Sequence, residues 1–358
     1  MKLLVCALET SSNIHLKELL PYLNSDIELT GIFSTQSAID GKKIYGTPKY
    51  DITQLAIMGF VDALKKLPFL LKLNNEMVEL SKDVDAILLM DSSGFNLPLA
   101  KKIKKKYPNK PIIYYILPQA WAWKKKRIPI IEANCDKLCS IIPFEKDLYK
   151  DQKKIKYVGH PLLDEIKTFK NKLTTNNVIA FMPGSRKGEI TKLIPIYKQI
   201  AKQITNKKLV LIIPKHFKQD YINDVYGDIS EFTISNDPHK SLIEADFAFI
   251  CSGTATLEAS IIGTPFILNY IAKPLDYFIA KNIVKLKYIG LANIFFEKMG
   301  KPPIHKEYIQ NDVTLNNLLD GYKNIDQDQF LENSKILREY LQNGSSKTTA
   351  TLINQILS

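Results

Sequence analysis

Short apolar runs recur along the chain, and most of them are followed by turn residues and then by a helical pattern. Continuous apolar runs of this length indicate strands that are covered on both faces of a parallel sheet. Their alternation with helical segments predicts an α/β fold. The predicted strands are Leu3–Leu8, Ala86–Met90, Ile112–Leu117, Val178–Met182, Leu209–Ile213, Phe247–Ile250 and Phe266–Leu268.

The predicted strands form two series, separated by a polar segment without periodicity. We therefore expect two Rossmann-like domains that face each other, at 1–166 and 178–340, with a linker at 167–177. The tail predicts two helices interrupted at Asn343-Gly344. Its last part, 341–358, can pack on another domain or on a second subunit, so the oligomeric state stays open.

Composition narrows the class of protein. The chain has 358 residues, 45% hydrophobic and 24% charged, which is ordinary for a folded protein. The net charge is 49 − 37 = +12, which favours anionic partners such as nucleic acid, anionic lipid or phosphorylated small molecules. No apolar run approaches the roughly 18 residues that a membrane span needs, and no signal-peptide pattern opens the chain. We expect a cytoplasmic protein that can rest on a membrane.

Much of the positive charge lies in one basic block. Ten cations and no acid occur between Lys101 and Arg127, interleaved with tyrosines and with both tryptophans of the chain. Three interpretations compete: a solvated helix face followed by a core strand, a nucleic-acid surface, or a membrane-surface patch. The segment 58–73 is apolar around most of a helix, with lysines as its main polar groups. It is typical of an interfacial helix or a groove for acyl chains, or of a buried core helix.

On the membrane interpretation, apolar, aromatic and cationic side chains of these two segments contact lipid. The expected contact residues are Phe60, Val61, Leu64, Leu67, Leu70, Leu71, Trp121, Trp123, Lys124, Lys125, Lys126 and Arg127.

Two loops at strand ends in the second domain have the composition of phosphate sites. Gly184, Ser185 and Arg186 follow one predicted strand, and the arginine can clamp a diphosphate through two hydrogen bonds. Ser252, Gly253 and Thr254 follow another and open a helix, whose free N–H groups favour an anion. Glu258, one turn further, can accept hydrogen bonds from ribose hydroxyls. Together the loops suit a nucleotide diphosphate at a switch point of the sheet. Simple helix capping is the competing interpretation of each.

Asp91 follows the predicted strand Ala86–Met90, at the sheet edge where α/β folds place ligands. A carboxylate there can act as a general base toward a hydroxyl, and helix capping is again the alternative. Asp83-x-Asp85 precedes its strand rather than following it, so we expect no metal site and no cofactor.

Several motifs together resemble the lipid-A-disaccharide synthases, which are inverting glycosyltransferases of GT-B architecture. They occur in family order over residues 1 to about 310. The matching stretches are Glu9-Thr10-Ser11, Met58-Gly59, Met90-Asp91, Phe95-Asn96, Gln119 to Arg127, Pro143-Phe144-Glu145, Val158 to Pro161, Met182 to Glu189, Ser252 to Glu258 and Leu291-Ala292-Asn293.

The resemblance implies two Rossmann-like domains with parallel sheets facing across a cleft. It also implies that UDP-2,3-diacylglucosamine and 2,3-diacylglucosamine 1-phosphate (lipid X) give UDP and a β(1→6)-linked disaccharide 1-phosphate, without metal. The family works as a peripheral protein on the anionic cytoplasmic face of the inner membrane.

The resemblance also assigns roles to individual residues. Asp91 would take the proton from the acceptor 6-hydroxyl, and Glu9 would orient acceptor or sugar. Arg186 and the amides of residues 253–254 would stabilise the departing UDP, Glu258 would hold the ribose, and Asn293 and Gln310 match donor-site positions. The chain departs from the family pattern at Leu8, Ser12, Asn13 and Gly94, which removes two glycines and two carboxylates.

Three other functions remain in competition. A 2-epimerase or a glycosyltransferase with a soluble acceptor would share the fold but would not need the apolar segment 58–73. A basic nucleic-acid-binding protein would use residues 101–127, but no helix-turn-helix, RRM or KH signature is present, so we expect no nucleic-acid partner.

Overall fold

The computed structural model describes residues 1–41, 43–53, 67–122, 125–173, 175–272 and 287–358. By its internal packing the chain separates into two compact units. The first is Met1–Glu165 together with Leu341–Ser358, and the second is Ile166–Tyr340. Each unit has its own parallel sheet.

The first unit alternates strands with helices. Its described elements are β1 Lys2–Ala7, α1 Thr10–Leu19, β2 Glu28–Phe33, β3 Ile39–Asp40, β4 Lys43–Ile44, β5 Tyr50–Asp51, α2 Leu67–Leu80, β6 Ala86–Met90, α3 Ser93–Lys106, β7 Ile112–Tyr115, α4 Ile128–Asn134, β8 Lys137–Ser140, β9 Ile155–Tyr157 and α5 Leu162–Glu165.

The second unit follows the same scheme, and the last helix belongs to the first unit again. The described elements are β10 Val178–Met182, α6 Lys187–Gln203, β11 Lys208–Ile212, α7 Gln219–Tyr226, β12 Thr233–Ser235, α8 Pro238–Glu244, β13 Phe247–Cys251, α9 Thr254–Ile262, β14 Phe266–Tyr270, α10 Leu291–Lys298, β15 Glu307–Ile309, α11 Leu315–Lys323, α12 Gln327–Leu341 and α13 Ser345–Leu357.

Both sheets reverse their strand order at one point. The first sheet has the order β5-β2-β1-β6-β7-β8-β9, so the chain leaves β1 on one side and returns with β6 on the other. The second has the order β12-β11-β10-β13-β14-β15, with the same reversal between β10 and β13. Open α/β sheets bind ligands at the carboxyl ends of the strands beside such a switch point.

The apolar strands are buried between two layers of helices. Along β1, Leu4 and Cys6 pack in one core with α2 and α3, whereas Leu3 and Val5 pack in the other with α1 and α13. Successive side chains of a strand point to opposite faces, so a strand that is covered on both sides must be apolar throughout.

The predicted α/β class and the predicted strands are confirmed. Ala86–Met90 and Val178–Met182 match β6 and β10 to the residue, and the other predicted strands agree with observed ones to within two residues at each end. The interrupted helical tail is confirmed as well, since α12 ends at Leu341 and α13 begins at Ser345.

The polar segment 167–177 belongs to the second unit, and part of it packs against helices of that unit. The Lys170 backbone N–H donates to the Ile262 carbonyl oxygen at 2.7 Å, and its buried ammonium donates to the Ala245 carbonyl oxygen. Hydrogen bonds of the backbone and of the Lys170 ammonium hold this segment, and the ammonium donates to a carbonyl oxygen at the C-terminal end of α8. Such contacts require no apolar periodicity in the sequence.

The C-terminal helix α13 packs on the first unit of its own chain. Ala350, Ile353 and Leu357 join the core that contains Leu16 and Leu19 of α1. The Asp164 carboxylate accepts hydrogen bonds from the backbone N–H groups of Gly344 and Ser346, both at 2.7 Å, and so caps the helix. Within the described residues, none of the helices is long and apolar enough to cross a membrane.

Candidate active site

Asp91 follows β6 in a left-handed backbone conformation. Its φ is +49° and that of Ser92 is +38°. Such values cost about 1–3 kcal/mol each for residues with a side chain and persist only where the surroundings hold them. Here the Tyr114 hydroxyl donates to the Asp91 carbonyl oxygen at 2.5 Å, and the Asn96 amide donates to the same oxygen at 3.0 Å. Backbone strain that is maintained in this way is concentrated at functional sites.

The Asp91 carboxyl group does not cap the following helix. The N-cap residue of α3 is Ser92 rather than Asp91, and the side chain of Ser92 makes no capping hydrogen bond. Burial raises the pKa of Asp91, and the charge of Glu9 raises it further, against smaller lowering effects of the Ser92 backbone and His15. A carboxylate whose pKa is raised is a stronger base, which suits the role of accepting a proton.

Glu9 lies beside Asp91 because β1 and β6 are neighbours in the sheet. Ala7 and Met90, the last residues of the two strands, are paired. The Ser92 hydroxyl donates to the Glu9 carboxylate at 3.0 Å, which ties the two loops together. Two carboxyl groups, those of Glu9 and Asp91, therefore lie together at the switch point of the first sheet. They are far apart in the chain because they follow different strands.

The first loop adopts its conformation without the glycine that the family usually has before the glutamate. Leu8 is not among the residues with positive φ, and Glu9 has a φ of −108°, so neither position requires glycine. The Asn13 amide donates to the carbonyl oxygens of Ala7 and Glu9, both at 2.8 Å, and its oxygen accepts from Ser34 N–H at 2.6 Å. An ionised aspartate has no donor for these two carbonyl groups, so asparagine is the side chain that holds this loop.

Two side chains of the loop 119–127 have defined positions: Trp121 is buried in the interior, and Arg127 lies close to the turn that contains Asp91. Trp121 is only 8% exposed and packs edge-on against Phe144, with ring centroids 5.3 Å apart. It therefore belongs to the core in this structure, rather than to an exposed membrane-contact face, because the loop folds inward at this point. The Arg127 guanidinium donates to the Ser93 hydroxyl at 2.7 Å, two residues from Asp91.

In the second unit, the two predicted phosphate loops lie side by side. They follow β10 and β13, which are paired through Met182 and Ile250. Gly184 has a φ of +95°, and a Cβ atom there would lie 2.4 Å from the Glu189 carboxylate and 3.2 Å from the Cys251 sulfur. Glycine is thus required where the first loop crosses the end of β13, for both conformation and space.

Arg186 is the exposed cation of these loops. Its side chain is 80% exposed, and the guanidinium donates to Glu189 at 3.0 Å. The Glu189 carboxylate also accepts from the Arg186 backbone N–H at 3.3 Å and so caps the start of α6. Ser185 is exposed beside it. The arginine is therefore positioned by its neighbour while most of its donors remain available to an anion.

The helix α9 begins with an open N-terminus. Its N-cap is Gly253, with a φ of +148°, and none of the described side chains caps the first turn. Capping by Ser252 or Thr254 therefore does not occur. A Cβ atom at Gly253 would meet nothing within 4 Å, so the space beside its Cα atom is open. Uncapped N–H groups at the start of a helix form an anion-binding site.

Glu258 lies one turn into α9 and faces a histidine that the sequence did not single out. The Glu258 carboxylate is 3.5 Å from Nε2 of His239, which lies near the start of α8. The two residues come from neighbouring helices of one unit, and no local pattern links positions so far apart in the chain. The pair places a carboxylate and an imidazole close to the phosphate loops.

Asn293 and Gln310 are in different surroundings. Asn293 is fully buried: its amide donates to the His305 carbonyl oxygen at 2.9 Å and to Glu307 at 2.8 Å, and its oxygen accepts from Ile304 N–H at 2.9 Å. Asn293 therefore fixes the segment before β15, and its side chain does not face solvent where a ligand could bind. Gln310 directly follows β15 at the carboxyl edge of the sheet, is partly exposed, and has a φ of +57°.

The expected lipid-contact residues are divided between surface, core and the undescribed part of the chain. Leu71 is exposed, Leu70 packs partly against the core of the first unit, and Lys125 and Lys126 are exposed whereas Arg127 is half-buried. The side chain of Leu67 is not described, and Phe60, Val61, Leu64, Trp123 and Lys124 lie outside the described residues. Among the residues that are described, no cluster of three or more histidine, cysteine, aspartate or glutamate side chains could hold a metal ion.

Comparisons with known proteins distinguish among the functions that share this fold. Among solved structures, the UDP-GlcNAc 2-epimerase from Neisseria meningitidis bound to UDP-GlcNAc aligns with a TM-score of 0.62 at 12% identity, over 100% of this chain and 99% of that chain. A likeness at this identity shows the shared GT-B fold alone.

Sequence comparison is more specific. A lipid-A-disaccharide synthase from Helicobacter pylori (strain ATCC 700392 / 26695) is 49% identical over 360 residues, which covers 97% of this chain and 96% of that protein. One from Campylobacter jejuni (strain RM1221) is 46% identical over 367 residues and 99% of both chains. The model of the lipid-A-disaccharide synthetase family matches residues 3–357. The chain belongs to the lipid-A-disaccharide synthetase family.

Proposed function

We propose that this protein transfers the diacylglucosaminyl group of UDP-2,3-diacylglucosamine to the 6-hydroxyl of 2,3-diacylglucosamine 1-phosphate. The products are the β(1→6)-linked disaccharide 1-phosphate of lipid A biosynthesis and UDP. Family membership over nearly the whole chain supports this reaction over that of a 2-epimerase or a nucleic-acid-binding protein.

The first unit, in this proposal, binds the acceptor. The Asp91 carboxylate removes the proton of the acceptor 6-hydroxyl as this oxygen attacks C1 of the donor sugar. General-base assistance of this kind contributes about 10²–10⁴-fold to the rate. Glu9, which Ser92 links to the same turn, orients the acceptor and keeps the pKa of Asp91 raised. The observation that carries the assignment is the strained turn, which holds Asp91 at the switch point without using its carboxylate as a cap.

The second unit binds the UDP-sugar. As the bond between C1 and the diphosphate oxygen breaks, negative charge develops on the departing UDP. Arg186 and the uncapped N–H groups of α9 lie at the carboxyl ends of adjacent strands, where they can stabilise this charge. Glu258 holds the ribose, while Gly184, Ser185, Ser252, Gly253 and Thr254 allow the loops to approach the diphosphate, and Gln310 contacts the donor sugar. Asn293 contributes by holding the neighbouring segment.

The test is an assay of the purified chain with both lipid substrates in the presence of EDTA. We expect formation of disaccharide 1-phosphate and stoichiometric UDP, and no product from UDP-N-acetylglucosamine alone. Asp91→Asn should lower kcat by about 10²–10⁴-fold with little change in KM. Asp83→Asn, which alters an exposed aspartate of the same unit, is the matched control. Full turnover by Asp91→Asn would remove Asp91 from the role of base.

The protein is further proposed to act as a peripheral protein on the anionic cytoplasmic face of the inner membrane. Exposed lysines on α3 (Lys101 and Lys105) and at Lys125 and Lys126 provide positive charge, and Leu71 on the adjacent α2 is 49% exposed. Each lysine near an anionic surface contributes about 1 kcal/mol. We expect co-sedimentation with vesicles that contain anionic phospholipid, and release by salt. Equal binding to purely zwitterionic vesicles would contradict this proposal.

A further inference from the structure

Arg127 is distinct from the lysines that surround it. It is one of three arginines among 49 cationic side chains. Lys125 and Lys126 of the same short turn are exposed, whereas Arg127 is half-buried and directs its guanidinium to the Ser93 hydroxyl, 2.7 Å away. An arginine presents a planar array of donors that matches the oxygens of a phosphate, which a lysine does not.

The guanidinium of Arg127 has no carboxylate partner in the part of the chain that the structure describes. Arg186, by contrast, is paired with Glu189 at 3.0 Å. A cation that is partly removed from water without a counter-charge is costly, and an anionic ligand would compensate for it. Ser93 already orients the group, so it is positioned before any ligand arrives.

The surroundings of Ser93 add further donors. Among the described residues, no group accepts a hydrogen bond from the backbone N–H of Ser93 or of Gly94, at the uncapped start of α3. A Cβ atom at Gly94 would meet nothing within 4 Å, so this side of the turn is open. Gly94 itself has no side chain and adds no negative charge beside the Arg127 guanidinium.

We infer that Arg127, with Ser93, binds the 1-phosphate of the acceptor and makes the phosphorylated acceptor the preferred substrate. The inference rests on the proposed function, because the acceptor carries its 6-hydroxyl and its phosphate on one sugar ring. Asp91 and Ser93 are two residues apart, so their Cα atoms are less than about 8 Å from each other. A monosaccharide can therefore present its hydroxyl to the Asp91 carboxylate and its phosphate to Arg127 at the same time. Arg127 would then be a specificity residue rather than a membrane contact.

The test compares two acceptors, 2,3-diacylglucosamine 1-phosphate and the same diacylglucosamine without phosphate. Arg127→Gln should lower kcat/KM for the phosphorylated acceptor by about 10–100-fold, the effect of a charge-assisted hydrogen bond, mainly through KM. It should leave the rate with the unphosphorylated acceptor and the KM for the UDP-sugar unchanged. Ser93→Ala, which removes only the orienting hydroxyl, should give a smaller loss in the same direction. Lys82→Gln, at an exposed lysine of the same unit, is the control.

The outcomes separate this inference from the proposed function. If the wild-type protein forms no disaccharide, the proposed function itself fails. If the wild type is active but Arg127→Gln affects both acceptors by the same factor, or neither, the inference is overturned. A loss of vesicle binding without any loss of discrimination between the two acceptors would assign Arg127 to the membrane instead. An unfolding midpoint equal to that of the wild type shows that the variant is folded.

Discussion

Replacement of Glu145 by glutamine should make the protein more stable at pH 8 and leave it nearly unchanged near pH 5. Glu145 lies in the turn after β8 and is 1% exposed. The Ser140 hydroxyl is within hydrogen-bond distance of two acceptors, the Glu145 carboxyl group at 2.7 Å and the Ile142 carbonyl oxygen at 3.0 Å. A hydroxyl has a single hydrogen, so both contacts are satisfied only if Glu145 is protonated and donates to Ser140.

The magnitude follows from the pKa of Glu145. Burial raises this pKa from 4.5 to about 8, against a smaller lowering effect of the Ser140 hydrogen bond. Between these two values the native state holds a proton that the unfolded state has lost, so the free energy of unfolding falls as the pH rises. At about 1.4 kcal/mol per pKa unit, the loss reaches at most about 5 kcal/mol by pH 8 and does not increase above it. Glutamine can donate to Ser140 in the same way and does not ionise.

Urea unfolding at pH 5, 6, 7 and 8, followed by tryptophan fluorescence, measures this difference. Both tryptophans of the chain, Trp121 and Trp123, lie in the first unit, so the signal reports on the unit that contains Glu145. The difference in free energy of unfolding between Glu145→Gln and wild type should grow by several kcal/mol across this range. Glu231→Gln, at an exposed position of the second unit, should show no such trend. A difference that is independent of pH would refute the idea that Glu145 is kept protonated by burial.

Three further changes test other parts of the structure. Arg186→Ala should lower kcat by about 10²–10³-fold at saturating substrates, because it removes a donor to the leaving group; an unchanged kcat would contradict that role. Gly184→Ala should lower stability in urea by about 1–3 kcal/mol and raise the KM for the UDP-sugar, because its Cβ would lie 2.4 Å from the Glu189 carboxylate. Asp164→Ala should lower the free energy of unfolding by about 2 kcal/mol or more through the loss of two hydrogen bonds to the start of α13. An unchanged urea midpoint would show that this cap does not contribute.

Most of the strands that carry the candidate site can be predicted because their signal is local. A strand such as Ala86–Met90 is apolar at every position, since it is covered on both faces, and polar turn residues follow at once. Short or partly exposed strands escaped prediction. β9, Ile155–Tyr157, and β12, Thr233–Ser235, have only three residues each and expose part of their surface. Such segments are strands because a neighbouring strand offers hydrogen bonds, which their own composition does not reveal.

Single residues in the loops are harder to assign from the sequence. The basic block suggested that Trp121 and Arg127 share one exposed face with the lysines around them. In the structure the loop folds inward, so Trp121 enters the core against Phe144 and Arg127 reaches Ser93. The pairing of Glu258 with His239 also depends on the packing of two helices. Contacts between segments that are distant in the chain leave no periodic pattern in the sequence, so the sequence alone does not predict them.

By itself, the sequence determined the α/β class, the positions of the principal strands and the loops that hold chemical groups. Hydrophobic periodicity and turn residues act over a few neighbouring positions, so the chain carries these features in its local order. Only the tertiary structure decided which strands are adjacent, and therefore that Glu9 joins Asp91 and that Gly184 meets Cys251. It also decided which polar groups are removed from water, as for Glu145, Asn293 and Arg127. Strand order and burial depend on how all the elements pack together, and no short segment of the chain specifies them.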